Sequence, residues 1–219
     1  MTTLQALIQN DLKPLKVQDT LATVQDFFQE VSFSHFPVLD ERVFIGSIAA
    51  DDVDNFDYNK SLSDYKYALE GFFARSNMVW LDLLEVFAKN NTNLVPVLNE
   101  SNEYLGYFNA LDVVEMMNET PFLKAKGNVI VVAKPQSEIN MSQIVQIVES
   151  SGTAVFGAFI SDADAQNTHV TIKMGDANLN EIIQTFRRFD YQLISSHQDD
   201  QYVDELKNNA AYLDKYLSF

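Results

Sequence analysis

Three observations predict an α+β fold for this chain. A stretch of about sixty residues occurs twice, each copy joining one helix-period apolar face to two short strands. A third segment reads strand, helix, strand, strand, helix, strand. Hydrophobic residues make up 47% and aromatic residues 12% of the 219 positions, enough for a buried core and incompatible with a disordered chain.

The duplication is read from HFPVLDERVFIGSIAADDV at 35–53 and LVPVLNESNEYLGYFNALDVV at 94–114. Phe36-Pro37-Val38-Leu39 lies over Val95-Pro96-Val97-Leu98 at an offset of 59 residues, and the same offset runs back without a gap to Val17. On it the apolar positions Leu21, Val24, Phe28 and Val31 fall over Trp80, Leu83, Phe87 and Asn90, a helical spacing broken only at its last member. One residue is added in the second turn, after which Gly46 matches Gly106 and Asp52-Val53 matches Asp112-Val113 at an offset of 60.

Each copy is predicted to run strand fragment, helix, strand, strand, short helix. In the first, Asp19-Thr20 offers N-cap chemistry before a helix at 21–31, HFPVLD is a strand, Asp40-Glu41-Arg42 turns it, and VFIGSIA returns antiparallel. Pro37 removes a backbone donor, which predicts that its strand lies at an edge or enters its ladder there. Asp51-Asp52-Val53 starts the closing helix. In the second copy VPVLN, an ESNE turn and YLGYFNA lead into Leu111-Asp112-Val113-Val114. Neither copy is long enough to cover both faces of its own sheet, so the two are expected to pack together.

Pro121 to Gly127 interrupts this pattern. NVIVVA at 128–133 is then a strand, and Met141, Ile144, Val145 and Val148 mark an amphipathic helix stopped at Ser151-Gly152. TAVFGAFIS and HVTIKMG are strands around the loop DADAQNT. Leu179, Ile182, Ile183, Phe186 and Phe189 mark a second helix, and YQLISS a last strand. That order, with two right-handed crossovers, is a ferredoxin-like sandwich. The expected domains are 1–125 for the repeat pair, divided into copies of about 1–60 and 70–125, and 127–200 for the ferredoxin-like part. A thin apolar stripe, Val203, Leu206, Ala210, Leu213 and Leu217, predicts a docking helix at 201–219.

Composition narrows the function. There is no run of eighteen apolar residues, and MTTLQALIQNDLK carries its first Lys only at position 13, which argues against a membrane span and a secretory signal. The absence of Cys removes disulfides, thiolate catalysis and Cys-based metal sites, and fits a cytoplasmic protein. Formal charge is −16, with nine basic and nineteen acidic residues over 1–126 and six and twelve over 127–219. So acidic a surface repels nucleic acid and anionic lipid.

Enzymatic signatures are also missing. His35, His169 and His197 are far apart in sequence and form no i, i+4 pair, so no metal site is expected. Asp162 to Asn167 begins like a calcium loop, but Asn167 stands where Gly is needed and Lys173 where Glu is. No P-loop, GxGxxG or GxSxG occurs. Adjacent acids such as Asp51-Asp52 and Asp199-Asp200 seldom aim at one reacting atom, and the aromatic pairs Phe27-Phe28 and Phe72-Phe73 suit core and interface. A non-enzymatic chain with no resident cofactor is the expectation.

Through PVL, a turn, [FY][IL]G, five residues and DV, the two copies resemble a tandem pair of CBS domains, the Bateman module. The βαββαβ segment resembles an ACT domain, and the joint order resembles the acetoin-utilisation-protein family of CBS–ACT regulators. The resemblance implies two clefts about a pseudo-twofold axis, which in many relatives hold adenine nucleotides such as AMP, ADP or ATP. There the residues form G-h-h-[TS]-x-x-[DN], the Asp accepting from ribose hydroxyls and the Thr or Ser donating to phosphate. Carried onto this chain, the implied ligand-binding residues are Asp52 and Asp112, the hydroxyl positions Ala49 and Asn109, the cation Lys16, and the strand positions Phe36 and Val95.

Both Asp match the pattern and neither hydroxyl position does. Ala49 donates nothing, and Asn109 offers an amide of different reach. Tyr107 and Phe108 stand where smaller residues are common, which predicts a partly filled second cleft. Lys13, Lys16 and Arg75 are cations placed to compensate. Ribose binding and capping of the closing helix both account for Asp52 and Asp112, and one residue can do both. In the ACT-like part the turn Lys134 to Asn140 lacks the Gly that lets backbone approach an amino acid, so dimerisation is expected of it instead. The resemblance thus implies a regulatory homodimer that senses an adenine nucleotide and signals to a protein partner. The alternative is a ligand-free dimeric scaffold with degenerate sites.

Overall fold

The computed structural model describes residues 4–196. The fold is α+β, and the chain divides into two compact units between Met117 and Asn118. In the first unit a 3-10 turn at Leu4–Leu7 precedes β1 (Leu15–Lys16), α1 (Leu21–Glu30), β2 (His35–Asp40), β3 (Val43–Ala49) and α2 (Ala50–Val53). A 3-10 segment at Leu62–Ala68 leads to β4 (Ala74–Arg75), α3 (Trp80–Lys89), β5 (Leu94–Leu98), β6 (Tyr104–Asn109) and α4 (Ala110–Asn118). The sheets run β1-β2-β3 and β4-β5-β6, so both repeats have the predicted order.

Local chemistry explains the boundaries. Thr20 caps α1 by accepting from the Thr23 amide at 3.3 Å. α1 buries Leu21 and Val24, and α3 buries Leu83 and Phe87 at the matching positions. The prolines, however, do not lie at sheet edges. Pro37 and Pro96 sit in the central strands, opposite Ser47 and Tyr107. Ser47 exchanges both of its backbone hydrogen bonds with Glu70, and Tyr107 both of its own with Gln9, at 2.8–2.9 Å. The Pro positions are therefore non-hydrogen-bonded pairs on that side. On the other side β1 pairs only with Val38 and Leu39, and β4 only with Val97 and Leu98, so no neighbour demands a donor from either proline.

Equivalent residues meet where the repeats join. The Ser34 amide donates to Asn93 Oδ1 at 2.8 Å and the Asn93 amide to Ser34 Oγ at 3.1 Å, a reciprocal exchange between positions 59 residues apart. Val43 and Glu103, also equivalent, form an antiparallel bridge. The cores interleave as expected of repeats that cannot cover themselves. Leu94 and Tyr107 of the second repeat join the first repeat's core, while Leu4, Leu7 and Ile8 pack against the second's.

The second unit holds α5 (Pro121–Lys124), β7 (Asn128–Pro135), α6 (Met141–Glu149), β8 (Val155–Ala163), β9 (Asn167–Met174), α7 (Leu179–Arg188) and β10 (Gln192–Ser196). The antiparallel sheet order β10-β7-β9-β8 is that of the predicted ferredoxin-like sandwich. Its core joins Ile130, Val132 and Ile172 to Ile144 and Val148 of α6 and Ile182, Ile183 and Phe186 of α7. Two boundaries differ from expectation. The loop read as DADAQNT is mostly strand, closed by Asp164, whose Oδ1 accepts from the Gln166 and Asn167 amides at 2.7 Å and is held below the usual carboxylate range by them. Residues 121–124, counted with the repeats by sequence, form a helix of the second unit, where the Phe122 ring lies over Gly157 so closely that a Cβ there would meet it at 2.6 Å. The predicted helix at 201–219, with His197 and Asp199-Asp200, lies outside the described residues.

Candidate functional site

The two Asp lie at equivalent corners, Asp52 third in α2 and Asp112 third in α4, each just after the strand that carries the glycine. Capping does not explain them. Ala49 precedes α2 without any side-chain cap, and at α4 it is Asn109 whose Oδ1 accepts from the Leu111 amide at 3.0 Å. Asn109, matched to a phosphate donor, thus spends its carbonyl oxygen on the helix start. The Asp carboxylates are left for other work.

Both corners are crossed by the leader of the opposite repeat. Residues 8 and 9, ahead of β1, run along β6, and residues 69 and 70, ahead of β4, run along β3. This approach explains the repeated glycine. Gly46 (φ +142°) and Gly106 (φ +147°) adopt backbone that L side chains avoid, and a Cβ would meet Leu69 Cβ at 2.8 Å in the first case and the Gln9 carbonyl oxygen at 2.1 Å in the second.

In the second repeat the leader fills the corner. Gln9 Nε2 donates to Asp112 Oδ2. The Tyr107 hydroxyl donates to Asp11 Oδ1 at 2.6 Å, and that bond holds the Asp11 carboxyl below its ordinary range. Burial, and then the Asp11 carboxylate, push the Tyr107 phenol up. Tyr107 is 1% exposed and packs its ring against Phe33 and Phe36. Of the two residues expected to fill part of the second cleft, Tyr107 lies in the first repeat's core and Phe108 in the second's.

In the first repeat Glu70 holds the place that Gln9 holds in the second. Its carboxylate turns to His35, with Oε1 at 3.3 Å from Nε2, while His35 Nδ1 lies 3.0 Å from Ser34 Oγ and the ring meets Phe72 edge-on. Asp52 has no side-chain hydrogen bond among the described residues, and the Ser47 hydroxyl, on β3, is buried without a partner. The remaining predicted residues are scattered in role. Lys16 and Lys13 are exposed; Phe36 and Val95 are fully buried in the two cores. Arg75, named as a phosphate cation, is engaged in its own turn: it donates to the Asn99 carbonyl and to Asn102 Oδ1, and lies over the Phe73 ring.

A surface depression of about 420 Å³ lies beside α3, lined among others by Phe72, Phe73, Met78 and Val86, and neither Asp52 nor Asp112 lines it. Among the described residues no group of three His, Asp or Glu is arranged to hold a metal ion, and no helix is long and apolar enough to cross a membrane. Sequence pattern found Asp52, Asp112 and the glycines. It missed Gln9, Asp11, Glu70 and His35, which carry no motif and enter the corners only through the crossing of the leaders.

No protein-family model and no curated protein matches this chain. Solved structures do. The chain is similar to a CBS domain pair/ACT domain protein from Thermotoga maritima, with 17% identity and a TM-score of 0.48 over 54% of this chain and 98% of that one. It is similar to the CBS domains of a transcriptional regulator from Streptococcus pneumoniae, with 18% identity and a TM-score of 0.46 over 52% and 98%. It is also similar to the CBS domain of a bacterial CNNM/CorC family Mg2+ transporter in complex with ATP, with 19% identity and a TM-score of 0.44 over 52% and 85%.

Proposed function

We propose that the chain is a non-enzymatic, cytoplasmic regulatory protein of the CBS–ACT kind, whose repeat pair takes an adenine nucleotide at the first repeat. The observation that carries this reading is the state of Asp52, an acceptor-only carboxylate left without a partner at a corner that a glycine has opened to backbone approach. Paired ribose hydroxyls are donors that suit it. The phosphate end is weakly provided for, because Ala49 donates nothing, and the cations Lys13 and Lys16, just before and on β1, are exposed. Nucleotide binding would then shift the packing of one repeat against the other, and that change is the signal.

Dimerisation falls to the second unit. β8 is an outer strand of its sheet, uncharged from Val155 to Ser161, with Phe159 48% and Ile160 55% exposed. An apolar outer strand of that length pairs with a second copy unless something covers it. Ile160→Lys should then halve the mass seen by light scattering, and a parent already of single-chain mass at micromolar concentration sinks the dimer.

For the site, calorimetric titration with ATP and AMP decides. The parent should bind, and Asp52→Ala should weaken binding at least tenfold, about 1.4 kcal/mol. Ala49→Thr, which restores a hydroxyl donor, should strengthen it. The scaffold alternative is favoured by Ala49 and by the filled second corner, and it predicts no heat from either nucleotide.

A further inference from the structure

We infer that residues 8–11 are a built-in latch on the second-repeat corner, so that the chain offers one nucleotide site rather than two and opens the second only by releasing its own leader. The inference rests on the nucleotide reading for the number of sites, and on geometry alone for the latch. Three contacts hold the segment. Gln9 exchanges backbone hydrogen bonds with Tyr107 at 2.9 and 2.8 Å, its side-chain amide donates to Asp112, and Asp11 accepts from the Tyr107 hydroxyl at 2.6 Å.

The amide of Gln9 gives Asp112 the kind of donor that a ribose hydroxyl would give. A ribose hydroxyl at Asp112 Oδ2 would compete with that amide. The Gln9 carbonyl oxygen lies where even a Cβ on Gly106 could not fit, which leaves no room between leader and strand. The first repeat lacks each side-chain element of this closure. Its leader brings Glu70, whose carboxylate cannot donate to Asp52, and Ser47 is too short to reach across as Tyr107 does. Release would free Ile8 from the second core and can stay local, because Leu4 and Leu7 on that core and Leu12 on the first hold the flanks of this short segment.

Amide hydrogen exchange and calorimetry on the full chain, with ATP as the probe, test this. Gln9→Ala and Gln9→Glu should each speed exchange at the Gln9 and Tyr107 amides about tenfold, while the Val38 amide of the first repeat stays at the parent rate. Titration should give one ATP per parent chain and two per Gln9→Ala chain. Unchanged exchange in both variants overturns the latch, as does a parent that takes two ATP with the leader still protected. Faster exchange without ATP binding in any protein supports the latch and removes the nucleotide reading instead.

Discussion

The two repeats place different chemistry in one position, and the difference decides what each corner has left to offer. In the second repeat an amide, Gln9, meets the carboxylate of Asp112, and in the first a carboxylate, Glu70, stands where the amide would be and turns to His35. Replacing a donor by a second acceptor removes this hydrogen bond without changing the backbone path, since Gln9 and Glu70 make the same pair of backbone bonds. The neighbouring position repeats the lesson: Tyr107 spans into the opposite core and ends on Asp11, and Ser47 leaves a buried hydroxyl unanswered. Duplication conserves the frame, and single side chains put a donor on one carboxylate and none on the other.

The glycines give the largest expected effect. Gly106→Ala sets a Cβ against the Gln9 carbonyl in positive-φ backbone and should cost about 3 kcal/mol, whereas Gly46→Ala meets a side-chain carbon at 2.8 Å and should cost about 2 kcal/mol. Urea unfolding measures both, and equal losses would break the claim that the second leader is the more tightly held. Next come the Asp themselves. Asp112→Ala strips the Gln9 amide of its acceptor and should lower stability by about 1–2 kcal/mol, while Asp52→Ala should stay within about 0.5 kcal/mol of the parent by thermal unfolding. A destabilised Asp52→Ala would show that its carboxylate is not free.

Removing one oxygen sharpens the comparison through pH. Tyr107→Phe should cost about 1 kcal/mol at neutral pH. Because the Tyr107 hydroxyl lowers the pKa of Asp11, the bond's contribution is fully present above the unfolded carboxyl value, about 4, and is lost as pH falls through the folded one. The stability gap between parent and Tyr107→Phe should therefore shrink in acid, and a gap constant down to pH 3 would take Asp11 out of the account. The smallest effect on stability is expected from Glu70→Gln, within about 0.5 kcal/mol for a partly exposed pair with His35. That variant gives the first corner the donor the second already has, so it should weaken ATP binding there, and unaltered affinity would separate Glu70 from the site.

Sequence by itself determined the elements and their duplication, because these depend on local chemistry and periodicity. The 59-residue offset, the Thr20 cap, the apolar faces of α1 and α3 and the βαββαβ order all follow from neighbours a few residues apart, and they appear where expected. It also singled out Asp52, Asp112, Gly46 and Gly106 as matched positions. What those positions do was decided by contacts between residues far apart in the chain. Pro37 reads as an edge residue until β1 proves to be two residues long and Ser47 turns its backbone to Glu70. Asp112 reads as a cap or a ribose acceptor, and only the fold brings Gln9, 103 positions earlier, to donate to it. Gly106 reads as a family signature until the Gln9 carbonyl lies against it. No local pattern encodes such meetings, since they arise only when each repeat covers its neighbour's open sheet edge with its own leader, and that requirement is a property of the folded pair.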